Sequence, residues 1–146
     1  MKQLKDIMNK DVMCMKPSDT LQAIAEKMRE LDTGSIPICD NGRLAGMVTD
    51  RDIVIKGIAA SKDPQSTTAR EVMTSPIVYG FEDQDLGDAA HMMEEKQIRR
   101  LLVLNRAKKL VGIVSLADIA TRGSEELVGE MMEKITEVTP PGAAVA

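Results

Sequence analysis

The chain has 146 residues, enough for one ordinary domain or for two small lobes that share a core. Its apolar fraction is 43%, but with one Phe, one Tyr and no Trp the core is aliphatic, eleven Met fill the gaps, and aromatic stacking is excluded as a main recognition device. A net charge of −4 and a pI near 5.1 argue against a nucleic-acid surface, and no stretch approaches the roughly 20 apolar residues of a membrane span. The first residues, Met1 to Asp6, lack the apolar run of a signal peptide, so a cytoplasmic protein with no membrane partner is expected.

In chain order, Leu4 to Met8 predicts a short opening helix and Val12 to Met15 a strand that Pro17 ends. Asp19, with Gln22 three residues on, predicts the cap of a helix whose Leu21, Ile24, Ala25, Met28 and Leu31 line one face, with Gly34 as its stop. Ile36 to Cys39 and Leu44 to Val48 read as a hairpin around Asp40-Asn41-Gly42, and Asp50 to about Ala59 as a second helix. After a polar linker the order recurs: an opening segment from Ala69 to Met73, a strand at Ile77 to Tyr79 and a helix over Leu86 to Gln97. A hairpin of Arg100 to Leu104 with Leu110 to Val114 follows, then a closing helix from Ala117 to Arg122. Ser124 to Lys134 reads as an amphipathic tail and the last seven residues as disordered. The fold class is therefore α/β, two β-α-β-β-α repeats packed with pseudo-twofold symmetry. The expected boundaries are residues 1–60, a linker at 61–70, residues 71–123, and a tail over 124–146.

A shift of 65 superposes Ile7 on Val72, Met8 on Met73, Leu21 on Leu86, Met28 on Met93 and Ile38 on Val103. One added residue in the second hairpin then makes the shift 66, and Gly46-Met47-Val48-Thr49-Asp50-Arg51-Asp52 meets Gly112-Ile113-Val114-Ser115-Leu116-Ala117-Asp118. The shared Ser/Thr-x-x-Asp is a capping box, in which hydroxyl and carboxylate satisfy N–H groups of a helix's first turn. The same turn also offers a ligand a hydroxyl, a carboxylate able to accept ribose hydroxyls, and N–H groups that favour phosphate. Both readings can hold at once.

Two such repeats, each with Gly-x-apolar-Ser/Thr-x-x-Asp after its hairpin, resemble a tandem pair of cystathionine-β-synthase (CBS) domains, a Bateman module, over roughly residues 1 to 123. Gly34-Ser35-Ile36-Pro37-Ile38 and Gly46 to Val54 are especially similar to small bacterial proteins made of little but this pair, including the mycobacterial hypoxic-response type. The resemblance implies an adenosine-containing ligand: AMP, ADP, ATP, S-adenosylmethionine or NAD. It implies that Asp52 and Asp118 hold ribose hydroxyls, that Thr49 and Ser115 contact ribose or phosphate, and that Arg99 meets a phosphate. The counterpart of Arg99 is Gly34, so phosphate is expected to bind better beside Arg99, Ser115 and Asp118. Arg51 is a further candidate for phosphate or for a solvent ion pair, and Val12, Ile36, Ile77 and Leu101 are candidates for an adenine slot or for plain core packing. The resemblance also implies a homodimer formed through helices.

An enzyme is not expected, because a nucleophile with an adjacent base is missing and the two aspartates belong to different repeats. Any regulated output is expected in another protein. With His91 the only histidine and no C-x-x-C pair, no metal is expected. The cluster of Arg99, Arg100, Arg106, Lys108 and Lys109 includes two lysines that read as a solvated hairpin turn. Cys14 and Cys39 carry the alternative of a ligand-free dimeric scaffold or a redox-responsive protein. They sit on strands that a β-α-β crossover places side by side, and a disulfide there closes a loop of about 25 residues worth roughly 3 kcal/mol in the chain-entropy model. Cytoplasmic reduction opposes that bond.

Overall fold

The computed structural model describes residues 2–75 and 77–122. Helix α1 covers Leu4–Ile7 and α2 Leu21–Leu31, before strands β1, Ser35–Asp40, and β2, Arg43–Thr49. A single turn, α3 (Asp50–Asp52), runs into a π-helical segment over Ile53–Ile58. The second half holds α4 (Ala69–Val72), β3 (Tyr79–Phe81), α5 (Leu86–Lys96), β4 (Arg100–Leu104), β5 (Leu110–Ser115) and α6 (Leu116–Arg122). The sequence-predicted amphipathic and disordered tail lies outside the described residues.

Local chemistry explains most of these boundaries, and in four places it departs from expectation. The cap of α2 is Thr20, whose hydroxyl accepts from the Ala23 N–H at 3.2 Å, while the Asp19 carboxylate instead accepts from Lys16 N–H at 2.7 Å. That helix ends on Asp32 in the left-handed region, with φ of 51°, two residues before Gly34. Asn41 and Gly42, at φ of 53° and 83°, make the tight turn that joins β1 to β2, as Asn-Gly does where both central residues need positive φ.

The strand expected over Val12 to Met15 shrinks to a single parallel bridge between Met15 and Ile38. Met15 N–H donates to Pro37 O at 3.0 Å and Cys39 N–H to Met15 O at 2.8 Å. Lengthening that ladder in either direction needs an N–H from residue 37 or residue 17, and both are proline. Their counterparts in the second half are Leu102 and Glu82, and there Tyr79–Phe81 does form a strand parallel to β4, displaced from the expected Ile77 to Tyr79. Glu82 N–H extends it, donating to Leu104 O at 2.8 Å.

Among the described residues two compact units form, and they cut across the sequence repeats: one gathers residues 2–12, 78–107 and 111–122, the other 13–75 with 77 and 108–110. The first unit carries the three-stranded sheet β3-β4-β5, and its core joins Leu4, Ile7 and Met8 to Leu86, Met93, Leu101 and Ile119. The other unit carries the β1-β2 sheet, with Ala69 and Val72 packed among Leu21, Ile24, Ile36 and Val48. Each opening segment thus completes the core of the opposite sequence repeat. Backbone pairs mark the same exchange: Asn9 bonds Ile113 at 2.9 and 3.0 Å, and Thr74 bonds Met47 at 2.9 and 3.1 Å.

Candidate functional site

Both Ser/Thr-x-x-Asp motifs sit where a hairpin strand turns into a helix, and both close as capping boxes. At the end of β2, Thr49 N–H donates to Asp52 Oδ2 at 3.0 Å, and Asp52 N–H donates to the Thr49 hydroxyl at 3.1 Å. At the end of β5, Ser115 N–H donates to Asp118 Oδ2 at 2.7 Å, Asp118 N–H to the Ser115 hydroxyl at 3.1 Å, and that hydroxyl lies 3.0 Å from Oδ2. One backbone bond positions the two junctions alike, from Asp50 N–H to Gly34 O at 2.9 Å and from Leu116 N–H to Arg99 O at 3.0 Å.

The junctions differ in what surrounds their carboxylates. Asp52 is buried, and its second oxygen, Oδ1, is held by the Lys56 ammonium at 3.2 Å, which also donates to Val72 O at 3.2 Å. Asp118 is half-buried, and among the described residues the hydrogen bonds to its carboxylate run through Oδ2. Opposite the first junction, Asp50 fills the room at Gly34, where an added Cβ would stand 2.9 Å from Oδ2. At the same place in the second repeat stands Arg99, exposed. The two junctions therefore differ in charge: a carboxylate beside an Asp52–Lys56 ion pair in one, a guanidinium and the Asp118 carboxylate in the other.

Of the remaining candidates, Arg51 is exposed, and its backbone N–H donates to Asp50 Oδ1 at 2.8 Å. Ile36 and Leu101 lie in the two cores, while Val12 and Ile77 are half-buried. Within the basic cluster, Arg106 makes a two-bond pair with Asp83 at 2.8 and 3.0 Å and lies 4.2 Å from the Phe81 ring centre. That bond holds Asp83 below the usual carboxylate range and raises Arg106 in return. Lys108, at φ of 64°, belongs to the turn between β4 and β5. Lys56 was legible in the i,i+4 spacing from Asp52, a signal the motif reading passed over.

The cysteines form a separate arrangement. Cys14 is exposed and Cys39 is buried. Burial first, then the neighbouring Cys14 thiol through hydrogen bonding and charge, push the Cys39 thiol up to about 12. Both line a surface cavity of about 530 Å³, together with Lys16, Asp40, Gly42 and Arg70. Among the described residues no three His, Cys, Asp or Glu side chains come together as a metal-ion set, and no helix is long and apolar enough to cross a membrane.

The family model of the CBS domain matches residues 4–57 and again 69–125. Hypoxic response protein 1 of Mycobacterium tuberculosis is 45% identical over 132 residues, which is 90% of this chain and 92% of that protein. The crystal structure of Hypoxic Response Protein I with two coordinated zinc ions is similar at a TM-score of 0.74 and 48% identity, covering 83% of this chain and 98% of the other. The CBS domain pair of protein MJ0100, solved in complex with 5′-methylthioadenosine and S-adenosyl-L-methionine, is similar at a TM-score of 0.68 and 27% identity, covering 83% and 94%. With its motif repeated in register and its strand-to-helix junctions matched, the chain belongs to the CBS-domain family, as a tandem pair.

Proposed function

We propose that this chain is a regulatory module that binds an adenosine-containing ligand through its second strand-to-helix junction and signals occupancy to a partner protein. The observation that carries this reading is the contrast between the two aspartates. Asp118 keeps Oδ1 for a pair of ribose hydroxyls, whereas the same atom of Asp52 is engaged by Lys56. Ser115 then meets the ribose, and Arg99 supplies positive charge to any phosphate or carboxylate the ligand carries. Val12, in the same unit as Asp118, retains apolar surface for an adenine, while Thr49, Arg51 and Asp52 form the weaker of the two sites. The adenosyl compounds in the MJ0100 structure support this ligand class. Binding shifts a population between arrangements of the module by no more than the ligand's differential affinity for them.

Thermal melting tests the reading, with AMP, ADP, ATP, NAD and S-adenosylmethionine each added with and without reductant. A ligand at 100 times its dissociation constant stabilises by about 2.7 kcal/mol, a shift of several degrees at this chain length. Asp118→Ala also removes the N3 half of a capping box and lowers the baseline stability, so the quantity to compare is the ligand-induced shift within each variant. The shift is expected to vanish in Asp118→Ala and to persist in Asp52→Ala; a shift retained in Asp118→Ala overturns the assignment. A second reading, favoured by Cys14 and Cys39 flanking the Met15–Ile38 bridge and lining one cavity, is a scaffold stabilised by their disulfide. Its signature is a flat response to every adenosyl compound and a melting point that falls on reduction.

The module is also proposed to pair with a second copy. Val54, Ile55 and Ile58 stand 54%, 51% and 56% exposed along the π-helical segment, an apolar stripe that a symmetric helix contact would cover. Light scattering is expected to read twice the chain's 15.9 kDa, and Val54→Glu with Ile58→Glu to return it to the single-chain value. A wild-type chain that runs at the single-chain mass rules out the pairing.

A further inference from the structure

The geometry points to the cavity beside Cys14 as a docking site for a low-molecular-weight disulfide that carries carboxylates, with Cys14 taking the mixed disulfide and Cys39 resolving it. This rests on the reading of the two cysteines as a disulfide-forming pair and adds the oxidant's class and the order of events. Four observations support it. The cavity measures about 530 Å³, within the range of small-molecule sites, and both cysteines line it. Only Cys14 is exposed, so an incoming disulfide reaches that sulfur and not the buried one. Lys16 and Arg70 face the same cavity against the single carboxylate of Asp40, which leaves one positive charge in excess. Arg70 pairs with Asp40 at only 4.0 Å, both side chains more than half exposed, so its guanidinium can turn to a carboxylate of the ligand.

The backbone holds these parts together. Arg70 N–H donates to Pro17 O at 3.0 Å, which pins the start of α4 to the Lys16–Ser18 wall. Cys39 N–H bonds Met15 O at 2.8 Å, and this fixes the two cysteines on the same face of the one surviving bridge.

In the first step the Cys14 thiolate attacks one sulfur of the small disulfide. A bond forms between the Cys14 sulfur and that sulfur, the small molecule's own S–S bond breaks, and one thiolate leaves and takes a proton from water. In the second step the Cys39 sulfur attacks Cys14, its proton passing through water to the second departing thiolate. Two protein thiols are oxidised to one disulfide, and one small disulfide is reduced to two thiols. Because the buried Cys39 thiol holds its proton, with its ionisation pushed up to about 12, the mixed disulfide on Cys14 accumulates before it is resolved.

The test uses reduced full-length protein, oxidised glutathione as the charged probe and hydroxyethyl disulfide as the uncharged one, read by intact mass and peptide mapping over time. The expected result is one glutathionyl group on the peptide holding Cys14, followed by its loss as the Cys14–Cys39 bond forms. Lys16→Gln with Arg70→Gln is expected to slow the first step at least fivefold with oxidised glutathione and to leave the uncharged probe unaffected. Equal slowing with both probes, or no slowing, overturns the docking site, and a first adduct on Cys39 overturns the order. Cys39→Ser should keep the adduct on Cys14, and the early wild-type time points carry the same information if that variant fails to fold. Diamide treatment separates the underlying reading: if it produces no Cys14–Cys39 bond, the pair itself fails, whereas a bond with diamide and no glutathionyl intermediate refutes only the docking site.

Discussion

Leu4→Ala is expected to destabilise the protein by about 2–5 kcal/mol, the range for deleting a fully buried leucine side chain. Leu4 has no exposed surface and packs in the core that also holds Leu86, Leu101 and Ile119, more than 80 residues away along the chain. Gly80 leaves room for it, since a Cβ there would come within 2.8 Å of Leu4 Cδ1. The α1 helix has four residues and cannot hold itself together in water, so its attachment depends on this burial and on the bond from Leu4 N–H to Gln84 O at 3.0 Å. At roughly 2–4 °C per kcal/mol for a chain of this size, the melting temperature should fall by about 4–20 °C. Met13→Ala, at a site 48% exposed, should stay within about 0.5 kcal/mol in a denaturant titration of both variants. A Leu4→Ala protein as stable as the wild type would mean that the opening segment does not complete the second-repeat core.

Gly46→Ala should cost about 1–3 kcal/mol, the range for overfilling a packed interior, although it adds a single methyl group. A Cβ at Gly46 would stand 2.9 Å from both Met73 Sδ and the Thr74 carbonyl oxygen. The methionine can turn aside, but the carbonyl is fixed by the paired bonds between Thr74 and Met47. Gly112 stands in the same relation to Met8 and Asn9, at 2.6 Å and 3.1 Å, so Gly112→Ala is expected to follow in direction. The natural contrast is Gly87→Ala on the exposed face of α5, where nothing lies within 4 Å and the removal of a helical glycine should stabilise by up to about 1 kcal/mol. Chemical denaturation of the three variants separates the cases; equal effects at Gly46 and Gly87 would refute the packing explanation. The glycine that opens the repeated motif is thus kept small by a neighbouring backbone.

Much of this protein was legible in the sequence because the information was local. The apolar spacing of Leu21, Ile24 and Met28, the Asn41-Gly42 turn and the two capping boxes all depend on residues a few positions apart, and the 65- and 66-residue shifts repeated each signal once. Small errors at the caps, Thr20 for Asp19 and Asp32 for Gly34, arose where two neighbouring side chains compete for one N–H or one left-handed position.

What remained was decided by contacts between residues far apart. The repeat that contains Leu4 in sequence is not the one whose core it fills, and a hydrophobic pattern marks a face as buried without naming its partner. Pro17 and Pro37 together trimmed a strand that each half of the pattern supported, because ladder bonds belong to pairs of strands. The two aspartates of the repeated motif look equivalent in the chain. Each has a cation four residues on, Lys56 and Arg122, and only the fold decided that Lys56 turns onto Asp52 at 3.2 Å while Arg122 donates to Ile7 O at 3.2 Å, because carboxylate chemistry depends on what lies within about 3 Å.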